Sequence, residues 1–352
     1  MARSGEQNNA VEYNEEHIRS LDWREHIRTR PGMYIGKLGD GTHFDDGIYV
    51  LLKEVLDNCV DEFMMGAGKS VEIIVDEKTA SIRDYGRGIP HGKLVECVAK
   101  INTGAKYDKG AFYRSVGLNG VGNKAVNALS EQFVVESFRD GMVKRAEFAR
   151  GQLIKEYNRK QTSQRNGTAI RFVPDKDIFG DYKFQSKFIE DRLWNYAFLN
   201  RGLELVFNDK VIASENGLAD LLAREVNSEA LYPMIHVVGE EIEFALTHTN
   251  QYGESYLSFV NGQFTTDGGT HQAAFREGVL KAFREYYKKD FDPPDARGGI
   301  VACVLVRLHE PIFESQTKTK LGSTMVTPEG PSVRSWVMDF VRDHLEKHLH
   351  KN

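Results

Sequence analysis

Only three cysteines, Cys59, Cys97 and Cys303, occur in the 352 residues, far apart and without CxxC spacing. That scarcity argues against a disulfide framework or a zinc site and fits a reducing compartment. An excess of positive charge is missing too: the formal net charge is −5. A general nucleic-acid coat is therefore not expected, which leaves room only for a local basic channel. No apolar run is long enough to span a bilayer, and the polar start has no apolar core of a secretory signal. A cytoplasmic protein is the expectation. Internal repeats and low-complexity tracts are also absent. The remaining composition is that of a soluble globular protein, with length enough for two cores.

Leu52, Val55, Leu56, Cys59 and Phe63 recur at helical spacing and predict an amphipathic helix. Glu54, Asn58 and Glu62 then fall at i, i+4 and i+8 along a neighbouring face. A carboxylate there can take a proton from water, and a carboxamide one turn on can give an oxygen to Mg²⁺. Taken alone, the same row is the usual look of a solvated acidic face. Gly66-Ala67-Gly68 ends the helix, and residues 71–75 and 80–84 read as two strands joined by a short turn. Asp84-Tyr85-Gly86-Arg87-Gly88-Ile89-Pro90 follows, a carboxylate at a strand end before glycines that let backbone approach a ligand. Asp84 can accept a hydrogen bond from an exocyclic amine such as that of adenine; a plain hairpin turn explains the residues equally well.

Residues 103–117, with Lys106, read as a lid-type loop. It runs into Gly117-Leu118-Asn119-Gly120-Val121-Gly122, which opens a helix over 123–130. Glycines at a helix N-terminus leave amides free to cradle phosphate. The stretch is neither a P-loop nor a Rossmann unit. Strands over 132–137, 143–148 and 169–173 imply an antiparallel sheet with helices on one face, hence α+β. Thr168 stands before the last of them, where its hydroxyl either faces a ligand or simply serves β propensity. From about residue 231 the pattern restarts, with strands over 241–247 and 256–260, the segment Asp267-Gly268-Gly269-Thr270-His271, a helix over 272–287, a buried strand over 300–308 and a helix over 333–348. Gln316-Thr317-Lys318 lies in a polar loop, either solvated surface or a lysine from a second domain reaching a phosphate in the first. Arg30-Pro31-Gly32-Met33-Tyr34-Ile35-Gly36 reads as a turn and a short extended piece. Tyr13, Ile18 and Leu21 are apolar points in an otherwise polar arm.

Three pieces occur in order: E-x-x-x-N on a helix, D-x-G-x-G-x-P, and G-x-x-G-x-G opening a helix. Together they resemble the GHKL (Bergerat) ATP-binding superfamily of gyrases, heat-shock chaperones, histidine kinases and mismatch-repair proteins. Within it, the 30–36 segment, Leu118-Asn119-Gly120-Val121-Gly122, Gly268-Gly269-Thr270-His271 and Gln316-Thr317-Lys318 resemble the B subunits of bacterial type IIA topoisomerases. The resemblance runs from about Tyr13 to the end, and the opening Tyr-Asn-Glu-Glu-His-Ile-Arg-Ser-Leu-Asp-Trp leans toward topoisomerase IV rather than gyrase.

The resemblance implies an α+β fold: a GHKL ATP-binding sandwich of mixed or antiparallel sheet and helices, followed by an α+β transducer domain of ribosomal-protein type. Its divisions would be a dimerisation arm over 1–24, an ATP-binding domain over 25–230 and a transducer over 231–352. Glu54 would be the general base and Asn58 the Mg²⁺ ligand. Asp84, helped by Thr168 and a water, would bind the adenine amino group; Gly88, Ile89 and Pro90 would line that pocket, with Arg87 closing over it near Glu62. Lys106 would belong to the ATP lid, and Leu118, Asn119, Gly120, Val121 and Gly122 would hold phosphates. Gln316 and Lys318 would reach the γ-phosphate from the transducer. Tyr13 and Ile18 would cross to a second protomer, and Arg145 would be the pocket-edge arginine that aminocoumarin antibiotics use.

The implied cofactors are ATP and Mg²⁺. The implied partners are a second copy through ATP-dependent arm exchange, a separate A subunit that carries the catalytic tyrosine, and double-stranded DNA of the nucleoid. Two departures stand out. Val50 occupies the place of a histidine that hydrogen-bonds the general base in many relatives, and the phosphate loop has Val116 and Asn119 where glycine and histidine are usual. The first leaves open a nucleotide-controlled dimerisation clamp with negligible hydrolysis. No acidic cluster of the TOPRIM kind follows Lys320, so DNA-cleavage chemistry is not expected in this chain.

Overall fold

The computed structural model describes residues 15, 18, 20–104, 120–315 and 318–351. Two short helices, α1 (Trp23–Thr29) and α2 (Gly32–Ile35), precede α3 (Gly47–Met64). The 30–36 segment, expected as a turn and an extended piece, thus contains a helical turn. Pro31 supplies the helical φ that starts it, and Gly36, at φ 70°, ends it. Next come β1 (Ser70–Val75), β2 (Ala80–Asp84), α4 (Leu94–Ala99) and α5 (Gly122–Ala128). The chain continues through β3 (Ser130–Arg139), β4 (Met142–Ala149), β5 (Gln152–Glu156), β6 (Lys160–Gln161) and β7 (Gly167–Pro174). After α6 (Lys176–Phe179) and α7 (Ser186–Leu199) lie β8 (Glu204–Phe207) and β9 (Lys210–Ile212).

These strands form one sheet in the order β5-β4-β3-β7-β2-β1-β8-β9, with β6 beside β4. Pairing is antiparallel except between β1 and β8, so the sheet is mixed. Strand β1 shows why one face carries helices: Val71, Ile73 and Val75 are buried in the main core while Glu72 and Ile74 are exposed. The buried stripe of α3, including Leu51, Leu52, Val55, Leu56 and Val60, packs on that face. Each such side chain contributes roughly 1.5–3 kcal/mol on burial, which makes α3 the fixed platform for whatever its other face carries.

The second sheet follows α8 (Leu218–Glu225) and contains β10 (Ile235–Val238), β11 (Ile242–His248), β12 (Ser255–Val260), β13 (Gln263–Phe264) and β14 (Ile300–Val306). Helices α9 (Thr270–Tyr287) and α10 (Pro293–Arg297) lie between β13 and β14, and α11 (Val333–Lys351) closes the chain. The order is β10-β11-β14-β12-β13, with β14 antiparallel to β11 and parallel to β12. The continuous apolar run of β14 has a plain cause. Ile300, Ala302, Val304 and Val306 face the core made with α9 and α11, whereas Val301, Cys303 and Leu305 pack with Leu218, Leu221, Leu222, Phe198 and Leu199 of α8 and α7. A central strand covered on both faces has no polar face to show. That second cluster also joins α7 and α8 to the second sheet. Among the described residues, no helix is long and apolar enough to cross a membrane.

Candidate nucleotide site

The exposed side of α3 forms one wall of a cavity of about 330 Å³, large enough for a small ligand. Glu54, Asn58 and Glu62 line it from α3; Asp84, Arg87, Gly88, Ile89 and Pro90 line it from the end of β2 and the bend beyond. Gly120, Val121 and Gly122 enter from the start of α5, Thr168 from β7, and Lys318 from the loop after β14. Four sequence segments and a distant loop therefore meet in one hollow.

Asp84 is 6% exposed, and its Oδ1 accepts from the Gly86 N–H at 2.8 Å and the Thr168 N–H at 3.2 Å. Burial outweighs those bonds and pushes its carboxyl up to about 6. Thr168 is held there by the pairing of β7 between β2 and β3. Val55, Cys59, Ile82 and Ile170 supply apolar walls beside this carboxylate. An apolar slot with one acceptor at its end suits a flat heterocycle bearing an amine. Arg87 donates to Glu62 through its backbone N–H (2.9 Å), Nε (3.0 Å) and Nη2 (2.8 Å), which pins the bend over α3. Gly88 has φ 74°, and a Cβ there would meet the Phe138 carbonyl at 2.5 Å, so a side chain is excluded.

At the other end, Asn58 Nδ2 donates to the Glu54 carbonyl (2.6 Å) and to Asn123 Oδ1 (3.2 Å). The amide oxygen of Asn58 is thereby turned away from these partners. Glu54 lies against α5: a Cβ on Gly122 would come within 2.0 Å of its Oε2. Val50, in the turn before, packs on the core, and its side chain has no polar atom to orient the Glu54 carboxylate. Among the described residues, no group of three or more His, Cys, Asp or Glu gathers. That donor set fits a Mg²⁺ held by one amide oxygen together with ligand oxygens and water, not a protein cage.

Lys318, at φ 58°, is carried by a loop stitched to the start of α9. Leu321 N–H donates to the Gly268 carbonyl (3.1 Å), Thr270 N–H to the Leu321 carbonyl (3.2 Å), and Asp267 N–H to the Thr319 carbonyl (2.9 Å). Thr270 Oγ1 adds a bond to the Ser323 carbonyl, and His271 is fully buried beside Thr265. The Gly268-Gly269-Thr270-His271 segment is thus the mount for the Lys318 loop.

Arg145 lies elsewhere. On β4 it pairs with Glu136 and Glu147, and it is not part of the cavity lining. Besides Arg87, the lining arginine is Arg139, at the end of β3, whose Nη1 donates to the Gly88 carbonyl at 3.1 Å. Ile18 is 67% exposed and also outside the lining. Tyr13, Lys106, Leu118, Asn119 and Gln316 lie outside the described residues. Lining residues that sequence reasoning passed over include Tyr34, Cys97, Asn123 and Lys124. Lys124 is 4% exposed and donates to the Thr103 carbonyl at 2.7 Å, where the lid segment begins. Its signal was a charged residue two places after the last glycine of a helix-opening loop.

The chain is also similar to known proteins. The family profile of histidine kinase-, DNA gyrase B- and HSP90-like ATPases matches residues 45–178, and that of DNA gyrase B matches residues 208–352. The B subunit of DNA topoisomerase 4 from Borreliella burgdorferi is 51% identical over 312 residues, covering 88% of this chain and 52% of that protein. The type 2 topoisomerase B subunit of Aquifex aeolicus is 33% identical, with 96% and 45% covered. The chain spans about half the length of the curated relatives it matches. Among solved structures, the 43K ATPase domain of Thermus thermophilus gyrase B, in complex with an aminocoumarin, superposes with a TM-score of 0.70 at 30% identity, covering 93% of this chain and 91% of that one. The ATPase region of Saccharomyces cerevisiae topoisomerase II has the same fold, with a TM-score of 0.75 at 18% identity. A GHKL ATP-binding fold whose sequence is matched along both sheets in this way means that the chain belongs to the family of type IIA topoisomerase B subunits, within their ATPase region.

Proposed function

We propose that this chain is the ATP-operated gate of a type IIA DNA topoisomerase, of the topoisomerase IV branch in preference to gyrase. The observation that carries the reading is the meeting of Glu54, Asn58, Asp84 and Lys318 in a single cavity. Asp84 and Thr168 take the adenine amino group, and the bend closed by Arg87 on Glu62 covers the base. Phosphates lie along Leu118, Asn119, Gly120, Val121 and Gly122, whose amides and helix end favour anions; Lys106 closes with the lid.

For hydrolysis, Glu54 takes a proton from a water whose oxygen bonds the γ-phosphorus as the bond to the β,γ-bridging oxygen breaks and ADP leaves. Lys318, with Gln316 beside it in sequence, meets the charge that grows on the transferred group. Mg²⁺, held by Asn58 and the phosphates, would neutralise phosphate oxygens when bound. Because Lys318 comes from the second sheet, closing on the γ-phosphate would change how the transducer (231–352) sits on the ATP-binding part (25–230). Two protomers would then close through arms (1–24) bearing Tyr13 and Ile18. In the whole assembly an A subunit would supply the cleaving tyrosine, a DNA duplex would pass the gate, and the work would be done in the cytoplasm.

Turnover per protomer, measured with Mg²⁺ over a wide range of protein concentration, tests this. A specific rate that rises with concentration is expected of an arm-exchanged dimer. A flat rate would remove dimerisation as the switch. Bound ATP without turnover would favour the clamp, in which Val50 leaves the base without the usual orienting histidine.

A further inference from the structure

Asp57 sits next to Asn58 on α3 but about 100° further round the helix, so it leaves the cavity wall and faces the junction of the two sheets. It is 1% exposed. Its carboxylate accepts from Lys53 Nζ at 2.5 Å, from the hydroxyl of buried Tyr196 on α7, and from Gln263 Nε2 at 3.3 Å. Gln263 belongs to β13 of the second sheet, whereas Lys53 and Tyr196 belong to the first body. Lys318 hangs from the same body: β13 runs into residues 267–270, whose backbone bonds with Thr319 and Leu321 carry the loop that brings Lys318 into the cavity lining. Burial raises the Asp57 carboxyl, but Lys53 and then Lys318 oppose it and the net direction is down.

A buried carboxylate is costly unless it is paired and hydrogen-bonded. Here the groups that satisfy it come from both bodies, and Asp57 itself stands three residues from Glu54 and one from Asn58. We propose that Asp57 is the positioning residue that registers the second sheet against α3 and draws Lys318 to the end of the nucleotide cavity before nucleotide arrives. This rests on the reading of the cavity as an ATPase site and adds to it how the lysine is aimed. Preorganised charge is worth more than charge that must be gathered during the reaction. Asp57 touches neither nucleotide nor water in this account; it acts through Lys318 and Gln263.

The test compares wild type, Asp57→Asn, Lys318→Ala and the double variant, each checked for folding by its melting curve. Asp57→Asn keeps an acceptor for Tyr196 and Gln263 while removing the charge. Its turnover should fall about 10- to 100-fold, with the dissociation constant for a non-hydrolysable ATP analogue changed less than about threefold. The double variant should be no slower than Lys318→Ala alone, because both changes disable one device. Multiplicative effects, or an Asp57→Asn enzyme at wild-type speed, would overturn the proposal. Should Asp57→Asn not fold, Gln263→Leu removes the cross-sheet bond and should slow turnover only when Lys318 is present; an equal slowing without Lys318 would count against the idea. Amide exchange over residues 318–321 without nucleotide gives a readout free of hydrolysis. Asp57→Asn should quicken it, and unchanged exchange would overturn the coupling even if the chain proved not to hydrolyse ATP.

Discussion

Replacing Gly122 by alanine keeps its backbone N–H for phosphate while changing the space that Glu54 occupies. The added Cβ would lie 2.0 Å from Glu54 Oε2, 3.0 Å from its Cδ and 3.2 Å from its Cβ. A tolerable contact needs roughly 3.2–3.4 Å, so the carboxylate must retreat by more than about 1 Å, and misplacement on that scale costs on the order of 100-fold in rate. Stability should move the other way. Gly122 is the first residue of α5, and alanine in place of a helical glycine is worth about 0.5–1 kcal/mol. The displaced group is the far end of a flexible side chain facing a cavity, so relief costs little. The expected variant melts at or above the wild-type temperature, binds an ATP analogue within about threefold, and turns over ATP about 100-fold more slowly. Turnover within about threefold of wild type would refute the claim that the Glu54–Gly122 contact aims the base.

Two further outcomes follow from the same cavity. Asp84 has its pKa raised from 3.8 to about 6 by burial, so the folded state binds more protons than the unfolded one between those values, and stability falls as pH rises through that window. Asp84→Asn lacks this loss and should be more stable than wild type above pH 6, by up to about 3 kcal/mol, with the gap closing toward pH 4 in denaturant titrations and with nucleotide binding lost; a gap independent of pH would contradict the assignment. Arg139→Ala should weaken a ligand that reaches the cavity edge, about tenfold for one charge-assisted bond, while Arg145→Ala leaves it within about twofold by calorimetry; the reverse order would restore Arg145.

Much of this fold is legible in the sequence where an element's burial leaves a regular apolar pattern. The α3 stripe, the alternation of β1 and the unbroken run of β14 each follow from which faces are covered. Helix α7 escaped because aromatic residues lie on several of its faces: Phe188 packs on the main core, Phe198 under the second sheet, and Trp194 touches both. The parallel partnership of β1 with β8 joins segments about 130 residues apart, which no local pattern records. Arg139 and Arg145 flank one hairpin, and only strand register tells which of them ends beside Gly88. The role of Gly269 is likewise tertiary, since it lies in its close approach to Leu321. Asp57 is one of several acids along α3 in the sequence, and only the second sheet, which places Gln263 against it, sets it apart.

Glu54→Ala, assayed side by side for ATP turnover and for binding of a non-hydrolysable analogue, tests the central claim most directly. Loss of a general base predicts roughly 10²–10⁴-fold slower turnover with binding preserved. Retention of more than half the wild-type rate would show that Glu54 is not the base, and the chemistry assigned to this cavity would have to be given up.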